Sequence, residues 1–159
     1  MFLNKRYAQA SVALQRAGRS REAAICDAYL LREKARSIST ATSAARIKAF
    51  VIAAKAFTTC AEDSPSKMVN ERLDHYGIAG ECYLEARDLK SAGDSYCMAE
   101  RYDEAARAYR EEEYFDEMVD VITRHEDVMD SGLVERLTMV ARVYYFKVCF
   151  IGLFASGCL

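Results

Sequence analysis

Apolar side chains recur at offsets of 0, 4 and 7 along most of this chain, and in the second half the pattern restarts every thirteen residues. The clearest units begin at Ala79, Ala92 and Ala105, and a tyrosine follows four positions after each. The same frame begins at Ala10. On a helix these offsets lie within about 60° of one another, so each unit presents one narrow apolar stripe. A helix this short cannot bury its stripe alone, and the pattern predicts an all-α array of stacked neighbours.

Breaks in the pattern predict where the helices begin and end. The expected helices cover residues 2–17, 20–36, 43–61, 65–86, 90–100, 103–113, 116–127 and 131–147. Gly18 suits a helix C-terminus, Ser20 is expected to cap the second helix, and Ser64-Pro65 is expected to begin the fourth. Connections of two or three residues require consecutive helices to be antiparallel. We therefore expect about seven to nine antiparallel helices, which is an α-solenoid.

The same boundaries predict the domain organisation. Residues 1–147 form a single helical-repeat domain, made of a basic helical hairpin (1–36), a Ser/Thr-rich linker (37–43) and the helices of the main array (44–147). Residues 148–159 form an apolar tail without charge or stripe. Twelve residues are too few to span a bilayer, so no membrane span is predicted. The tail either docks into the core or is a truncated or non-native terminus.

Composition favours a folded chain inside the cell. Of the 159 residues, 52% are hydrophobic and 29% are charged, which indicates a globular domain rather than a disordered one. Six cysteines without a C-x2-C pair favour a reducing compartment, cytoplasmic or nuclear. The first 21 residues lack acidic side chains, as mitochondrial transit peptides do. Because Tyr7, Leu14 and Ala17 obey the helical frame, we expect them to belong to the core and disfavour import.

Motifs that carry chemistry are not found in the sequence. It contains no phosphate-binding G-x4-G-K-[ST] loop, no G-x-G-x-x-G and no H-E-x-x-H. Its two histidines, His75 and His125, are far apart, and the acidic cluster from Glu111 to Asp120 lies on helices without the turn of a calcium loop. We therefore predict no catalytic, cofactor-binding or metal-binding residues and no cofactor.

The charge is distributed unevenly along the chain. Residues 1–60 hold 11 Lys/Arg and 3 Asp/Glu, whereas residues 61–159 hold 11 Lys/Arg and 21 Asp/Glu. The candidate basic interaction face consists of Lys5, Arg6, Arg16, Arg19, Arg21, Arg32, Lys34 and Arg36. These cations could neutralise phosphates while Tyr7 and Tyr29 stack on bases. The favoured interpretation is a solvated face that attracts the acidic half of the array.

Two segments resemble tetratricopeptide-type (TPR) helical repeats. They are residues 79–86, with the sequence Ala-Gly-Glu-Cys-Tyr-Leu-Glu-Ala, and residues 101–109, with the sequence Arg-Tyr-Asp-Glu-Ala-Ala-Arg-Ala-Tyr. Two helices occupy 26 residues here, fewer than the usual 34-residue unit. The resemblance therefore implies a TPR-like antiparallel helical repeat array.

A more specific resemblance covers residues 1–147. It rests on residues 2–10, 16–23, 28–33, 115–122 and 141–147. These are similar to the TPR-like region of very large fungal proteins that carry TPR and ankyrin repeats and a UvrD-like helicase domain. The helicase motifs of that family have no counterpart here, so the resemblance implies a fragment and carries over no catalytic residue. We expect a non-catalytic protein–protein interaction scaffold with a protein partner. The alternative is an accessory module through which a helicase engages nucleic acid, using the basic N-terminal half.

Overall fold

The chain is all-helical in a computed structural model, which describes residues 2–39 and 43–155. The eight helices are α1 (Phe2–Arg16), α2 (Ser20–Arg36), α3 (Ala44–Glu62), α4 (Val69–Glu85), α5 (Leu89–Met98), α6 (Tyr102–Glu111), α7 (Phe115–His125) and α8 (Ser131–Ala155). No strand occurs within these ranges. The all-α prediction is confirmed, and the helix number agrees with the expected seven to nine. None of the described helices is both long enough and apolar enough to cross a membrane.

Each helix packs mainly on the helix next to it in sequence, and α8 contacts α6 as well as α7. The buried side chains form two main clusters. The N-terminal core contains Ala28, Ala35, Phe50, Ala53, Ala54, Phe57, Cys60, Ala79, Cys82 and Ala86. The C-terminal core contains Ala92, Tyr96, Ala105, Ala106, Ala108, Tyr109, Phe115, Met118, Val121, Ile122, Met129, Leu133, Leu137 and Ala141. Tyr83, which is half-buried on α4, packs against both clusters.

Glycines on α4 and α5 make room for tyrosine rings of the following helices. A Cβ atom added at Gly80 would lie 2.7 Å from the ring of Tyr96, and one added at Gly93 would lie 2.5 Å from the ring of Tyr109. Both tyrosines are buried. Gly80 and Gly93 therefore permit close contact between consecutive helices. At Gly77 the nearest group is the flexible guanidinium of Arg101, at 3.2 Å from an added Cβ, so the contact is less tight.

Three consecutive helices end with the same backbone conformation. As predicted, α1 is followed by Gly18 in the left-handed region. The ends of α4, α5 and α6 are followed by non-glycine residues in that region, thirteen positions apart: Arg87 (φ 60°), Glu100 (φ 58°) and Glu113 (φ 62°). The amide of the next residue then donates to a carbonyl five positions back, from Asp88 to Tyr83 (3.0 Å), Arg101 to Tyr96 (2.9 Å) and Tyr114 to Tyr109 (2.9 Å). These bonds satisfy carbonyls that the helix ends would otherwise leave unpaired.

Replacing Glu113 by glycine is expected to raise the free energy of unfolding by about 0.5–1 kcal/mol. A side chain in the left-handed region costs about 1–2 kcal/mol, and the greater freedom of glycine in the unfolded chain offsets part of that gain. Chemical denaturation followed by circular dichroism measures the difference. The control is Arg107→Gly in the interior of α6, which is expected to lower stability by roughly 1 kcal/mol. A loss of stability in Glu113→Gly would contradict the assigned conformation.

Three predicted boundaries are wrong. Helix α4 begins at Val69 rather than residue 65, because the Ser64 hydroxyl donates to the Cys60 carbonyl (2.8 Å) and so belongs to the end of α3. Ser20 is the first residue of α2, not its cap; Arg19 takes the capping position without a side-chain cap bond. Helix α8 continues past residue 147 to Ala155, into the predicted tail. Residues 156–159 of that tail and residues 40–42 of the predicted linker lie outside the described residues.

Candidate functional site

The structure divides the predicted basic face into exposed and partly buried side chains. Six of the eight are exposed: Lys5, Arg6 and Arg16 on α1, Arg19 before α2, and Lys34 and Arg36 on α2. Arg19 bonds Glu22 (2.8 Å) and Arg36 bonds Glu33 (2.9 Å), both over three positions. Such exposed pairs contribute little to stability. The hydrogen bond from Arg19 lowers the pKa of Glu22.

Arg21 and Arg32 are instead half-buried and hold α2 against α4. Arg21 pairs with Glu71 and also reaches the Ser64 hydroxyl (3.4 Å), and Arg32 pairs with Glu81. Only 25% and 14% of the two arginine side chains are exposed. Pairs that are partly buried are screened less by salt than exposed ones. Two members of the predicted interaction face therefore connect the basic half of the chain to the acidic half.

Arg46 of α3 makes the same kind of connection. Its guanidinium lies 2.9 Å from the Glu85 carboxylate of α4 and also donates to the Ile38 carbonyl (3.1 Å). Arg46 was not among the residues of the predicted basic face. Part of the charge asymmetry therefore reflects pairing between helices, as the favoured interpretation proposed, rather than a face reserved for a partner.

The two tyrosines considered as base-stacking groups face other rings. Tyr7 and Tyr29 stack on each other with ring centroids 5.4 Å apart, and Tyr29 also meets the edge of Phe57 at 5.0 Å. Burial raises the pKa of the Tyr29 phenol. Both rings are half-buried, so neither presents an open face to a base. Within the predicted basic face, the exposed cations that form no ion pair with another described residue are Lys5, Arg6, Arg16 and Lys34.

Both histidines and the Cys82 thiol lie among packed side chains of the described helices. His75 is buried on α4 with Nδ1 unbonded, and burial lowers its pKa. His125 stacks on Tyr102 at the end of α7, with centroids 3.7 Å apart. Burial raises the pKa of the Cys82 thiol to about 11, which keeps it protonated. Among the described residues, no three His, Cys, Asp or Glu side chains are grouped to hold a metal ion.

A large groove on the described surface lies between α6 and α8. Its volume is about 670 Å³, and it is lined by Arg107, Arg110, Leu133, Glu135, Arg136, Leu137, Met139 and Val140. The leucines are buried and form the floor, whereas the Met139 side chain at the rim is 62% exposed. Protein sites that bind small molecules or side chains have comparable volumes. We call this feature the α6–α8 groove.

Three arginines of the α6–α8 groove are available to a ligand. Arg107 and Arg110 lie three positions apart on α6 and therefore share a face, and Arg136 comes from α8. All three are exposed, and none forms an ion pair with another described residue. They do not stand out in the sequence, because they lie in the half of the chain with 21 acidic residues, where the net charge conceals a local basic cluster.

Two other grooves are less suited to binding a charged ligand. The groove between α2 and α4 contains Arg101, but its guanidinium already bonds Glu104 (2.7 Å) and Glu81 (3.5 Å). The groove between α7 and α8 is lined by Tyr145, whose hydroxyl donates to Asp116. That hydrogen bond raises the pKa of Tyr145 to about 12. The α7–α8 groove also contains Arg142, which is exposed and forms no ion pair with a described residue, but the α6–α8 groove has three such arginines and is the better candidate site.

No protein family, no characterised protein and no solved structure matches this chain. The function of the groove is therefore argued from its own geometry and charge.

Proposed function

We propose that this chain is a non-catalytic protein-interaction scaffold, built as a TPR-like α-solenoid, with the α6–α8 groove as its binding surface. The packing of each helix on its sequential neighbours supports the solenoid, as do the left-handed residues thirteen positions apart. On the basis of the sequence resemblance, we further propose that it is part of a larger protein with a UvrD-like helicase domain.

The proposed binding function rests on one observation. The α6–α8 groove combines a floor of apolar side chains with three arginines that form no ion pair with a described residue. Protein interfaces have apolar centres that are enriched in methionine and arginine, and a few such residues supply most of the binding energy. Met139 and Arg136 fit this description because both are exposed, on α8, at the same groove. A groove of this kind accommodates side chains of a partner protein.

The alternative function, engagement of nucleic acid through the basic N-terminal half, rests on a smaller surface. Its support is four members of the predicted basic face that are exposed and form no ion pair with a described residue, which are Lys5, Arg6, Arg16 and Lys34. Binding through phosphates alone weakens steeply as salt increases. A strong salt dependence of single-strand binding that is lost when these four are neutralised would favour the alternative.

Replacing Met139 by glutamate is expected to reduce binding of partner proteins through the groove at least tenfold. The substitution removes an apolar contact and places a carboxylate among the three arginines, where it competes with the ligand; a loss of about 1.4 kcal/mol gives a tenfold change. The measurement is quantitative affinity capture with the full chain, followed by mass spectrometry.

The control for this experiment is Met98→Glu. Met98 is 56% exposed, close to the 62% of Met139, but it lies at the end of α5 and outside the α6–α8 groove. Both variants are expected to keep the wild-type melting temperature because neither methionine is buried. Equal capture of every protein by the two variants would refute the groove as the binding surface.

A further inference from the structure

We infer that the occupant of the α6–α8 groove is an acidic amphipathic segment of a partner protein. Its carboxylates would pair with Arg107, Arg110 and Arg136, and its apolar side chains would cover Met139 and Val140. This inference rests on the proposed function and adds the chemistry of the partner to it.

The first argument is that the three groove arginines lie in a region of the sequence that is rich in carboxylates. Of the five other arginines in residues 61–159, three pair with a carboxylate: Arg87 with Glu111 (3.6 Å), Arg101 with Glu104 (2.7 Å) and Arg124 with Asp120 (2.8 Å). Arg72 and Arg142 form no ion pair with a described residue. The three groove arginines form no such pair with a described residue. Arginine binds carboxylates through two parallel hydrogen bonds. An acidic ligand would therefore supply carboxylates to the guanidinium groups of these three arginines.

The second argument is the arrangement of charge around the apolar strip. Arg107 and Arg110 stand one turn apart on one wall, and Arg136 stands on the other wall. Met139 and Val140 lie on α8 beyond Arg136, with Leu137 buried in the floor. A helical ligand with acidic residues three or four positions apart presents carboxylates at a matching interval of about 5–6 Å. Its apolar face then rests on α8, as in other helix-in-groove complexes.

The third argument distinguishes an acidic peptide from nucleic acid. Glu135 lines the same groove, and Glu111, Glu112 and Glu113 are exposed at the end of α6. A nucleic acid carries a phosphate at every nucleotide, and its charges would continue past the arginines toward these carboxylates. A peptide, in contrast, can carry negative charges only at the positions that contact the arginines. The groove also offers aliphatic side chains rather than the open aromatic rings on which bases stack.

Selection from a displayed library of random helical peptides tests the inference while the partner itself is unidentified. The full chain is the bait, and the enriched peptides are expected to combine Asp or Glu with Leu, Ile or Phe at helical spacing. Fluorescence anisotropy then gives the affinity of the best binder at several salt concentrations. We expect the affinity to decrease with salt and to fall at least tenfold in the variant Arg107→Gln/Arg110→Gln/Arg136→Gln.

The matched control is Arg6→Gln/Arg16→Gln/Lys34→Gln. This variant also loses three positive charges. They come from exposed side chains of the N-terminal helices that form no ion pair with a described residue. Its affinity for the peptide is expected to stay within about twofold of the wild-type value, a difference of about 0.4 kcal/mol. Circular dichroism and melting temperature verify that both triple variants are folded.

The outcomes separate this inference from the proposed function. Enrichment of uncharged or basic peptides whose binding is lost in Met139→Glu would overturn the inference and leave the groove as a protein-binding surface. An absence of any enriched peptide would overturn both. Short oligothymidylate that binds more tightly than the best peptide, and that depends on the three groove arginines, would overturn the inference in favour of nucleic acid.

Discussion

Replacing Tyr109 by alanine is expected to lower the free energy of unfolding by about 3–5 kcal/mol, the usual effect of truncating a buried aromatic side chain. The Tyr109 side chain is 3% exposed in the C-terminal core and packs over the backbone of Gly93. Burial, together with the hydrogen bond that its hydroxyl donates to the Asp94 carboxylate (2.7 Å), raises the pKa of the Tyr109 phenol. Domains are stable by only about 5–15 kcal/mol, so this single change removes a large part of the total.

Urea denaturation followed by circular dichroism measures the effect, with Tyr109→Phe as the control. Phenylalanine keeps the ring but loses the bond to Asp94 and the weaker contact of the hydroxyl with the Cys97 thiol (3.9 Å). The Asp94 side chain is 57% exposed and can bond water instead. We expect that variant to lose about 0.5–1.5 kcal/mol. If Tyr109→Ala and Tyr109→Phe were equally stable, the ring could not be part of the core.

The second large effect is expected for Gly93→Ala, which should destabilise the protein by about 1–3 kcal/mol. Alanine is favoured over glycine in a helix by about 1 kcal/mol, so propensity alone predicts the opposite sign. The added Cβ would lie 2.5 Å from Cε1 and 2.7 Å from Cζ of Tyr109, closer than carbon atoms approach without displacement. Because the ring is enclosed by the C-terminal core, it has little freedom to move away.

A double-mutant cycle identifies the clash as the cause. In a Tyr109→Ala background the ring is absent, and Gly93→Ala is expected to stabilise the chain by up to about 1 kcal/mol. A control in the wild-type chain is Gly132→Ala in α8, where the nearest atom would be 3.4 Å from the new Cβ and belongs to the flexible Arg136 side chain. If Gly93→Ala lowered the free energy of unfolding in both backgrounds, a contact other than the Tyr109 ring would be the cause.

The spacing of small and aromatic residues predicted the all-α class and the burial of Tyr96 and Tyr109, since both follow from a stripe at helical spacing. Boundaries were predicted less well where a local signal had two meanings. Ser64-Pro65 is typical of a helix start, yet the Ser64 hydroxyl bonds backward to α3 and the helix begins at Val69. Near the C-terminus, the apolar stripe is lost after residue 147, which predicted that the last helix ends there. An α-helix can continue without an apolar stripe, however, and α8 extends to Ala155.

The candidate site could not be predicted from the linear distribution of charge. Arg21 and Arg32 meet carboxylates 50 and 49 positions away, and no count over neighbouring residues detects such pairs. Conversely, Arg107 and Arg136 lie among many acidic residues in sequence, and only the approach of α8 to α6 places them in one groove. Net charge by segment describes the average field, whereas a binding site depends on which charges remain unpaired after folding.

Tyr83 gives the two cores a shared side chain. Because its ring packs against both clusters, loosening one core removes contacts from a group that the other core also needs. We therefore expect the unfolding of the two halves to be thermodynamically coupled at α4. A ligand that stabilises the helices around the α6–α8 groove is then expected to slow hydrogen exchange in the N-terminal helices without contacting them.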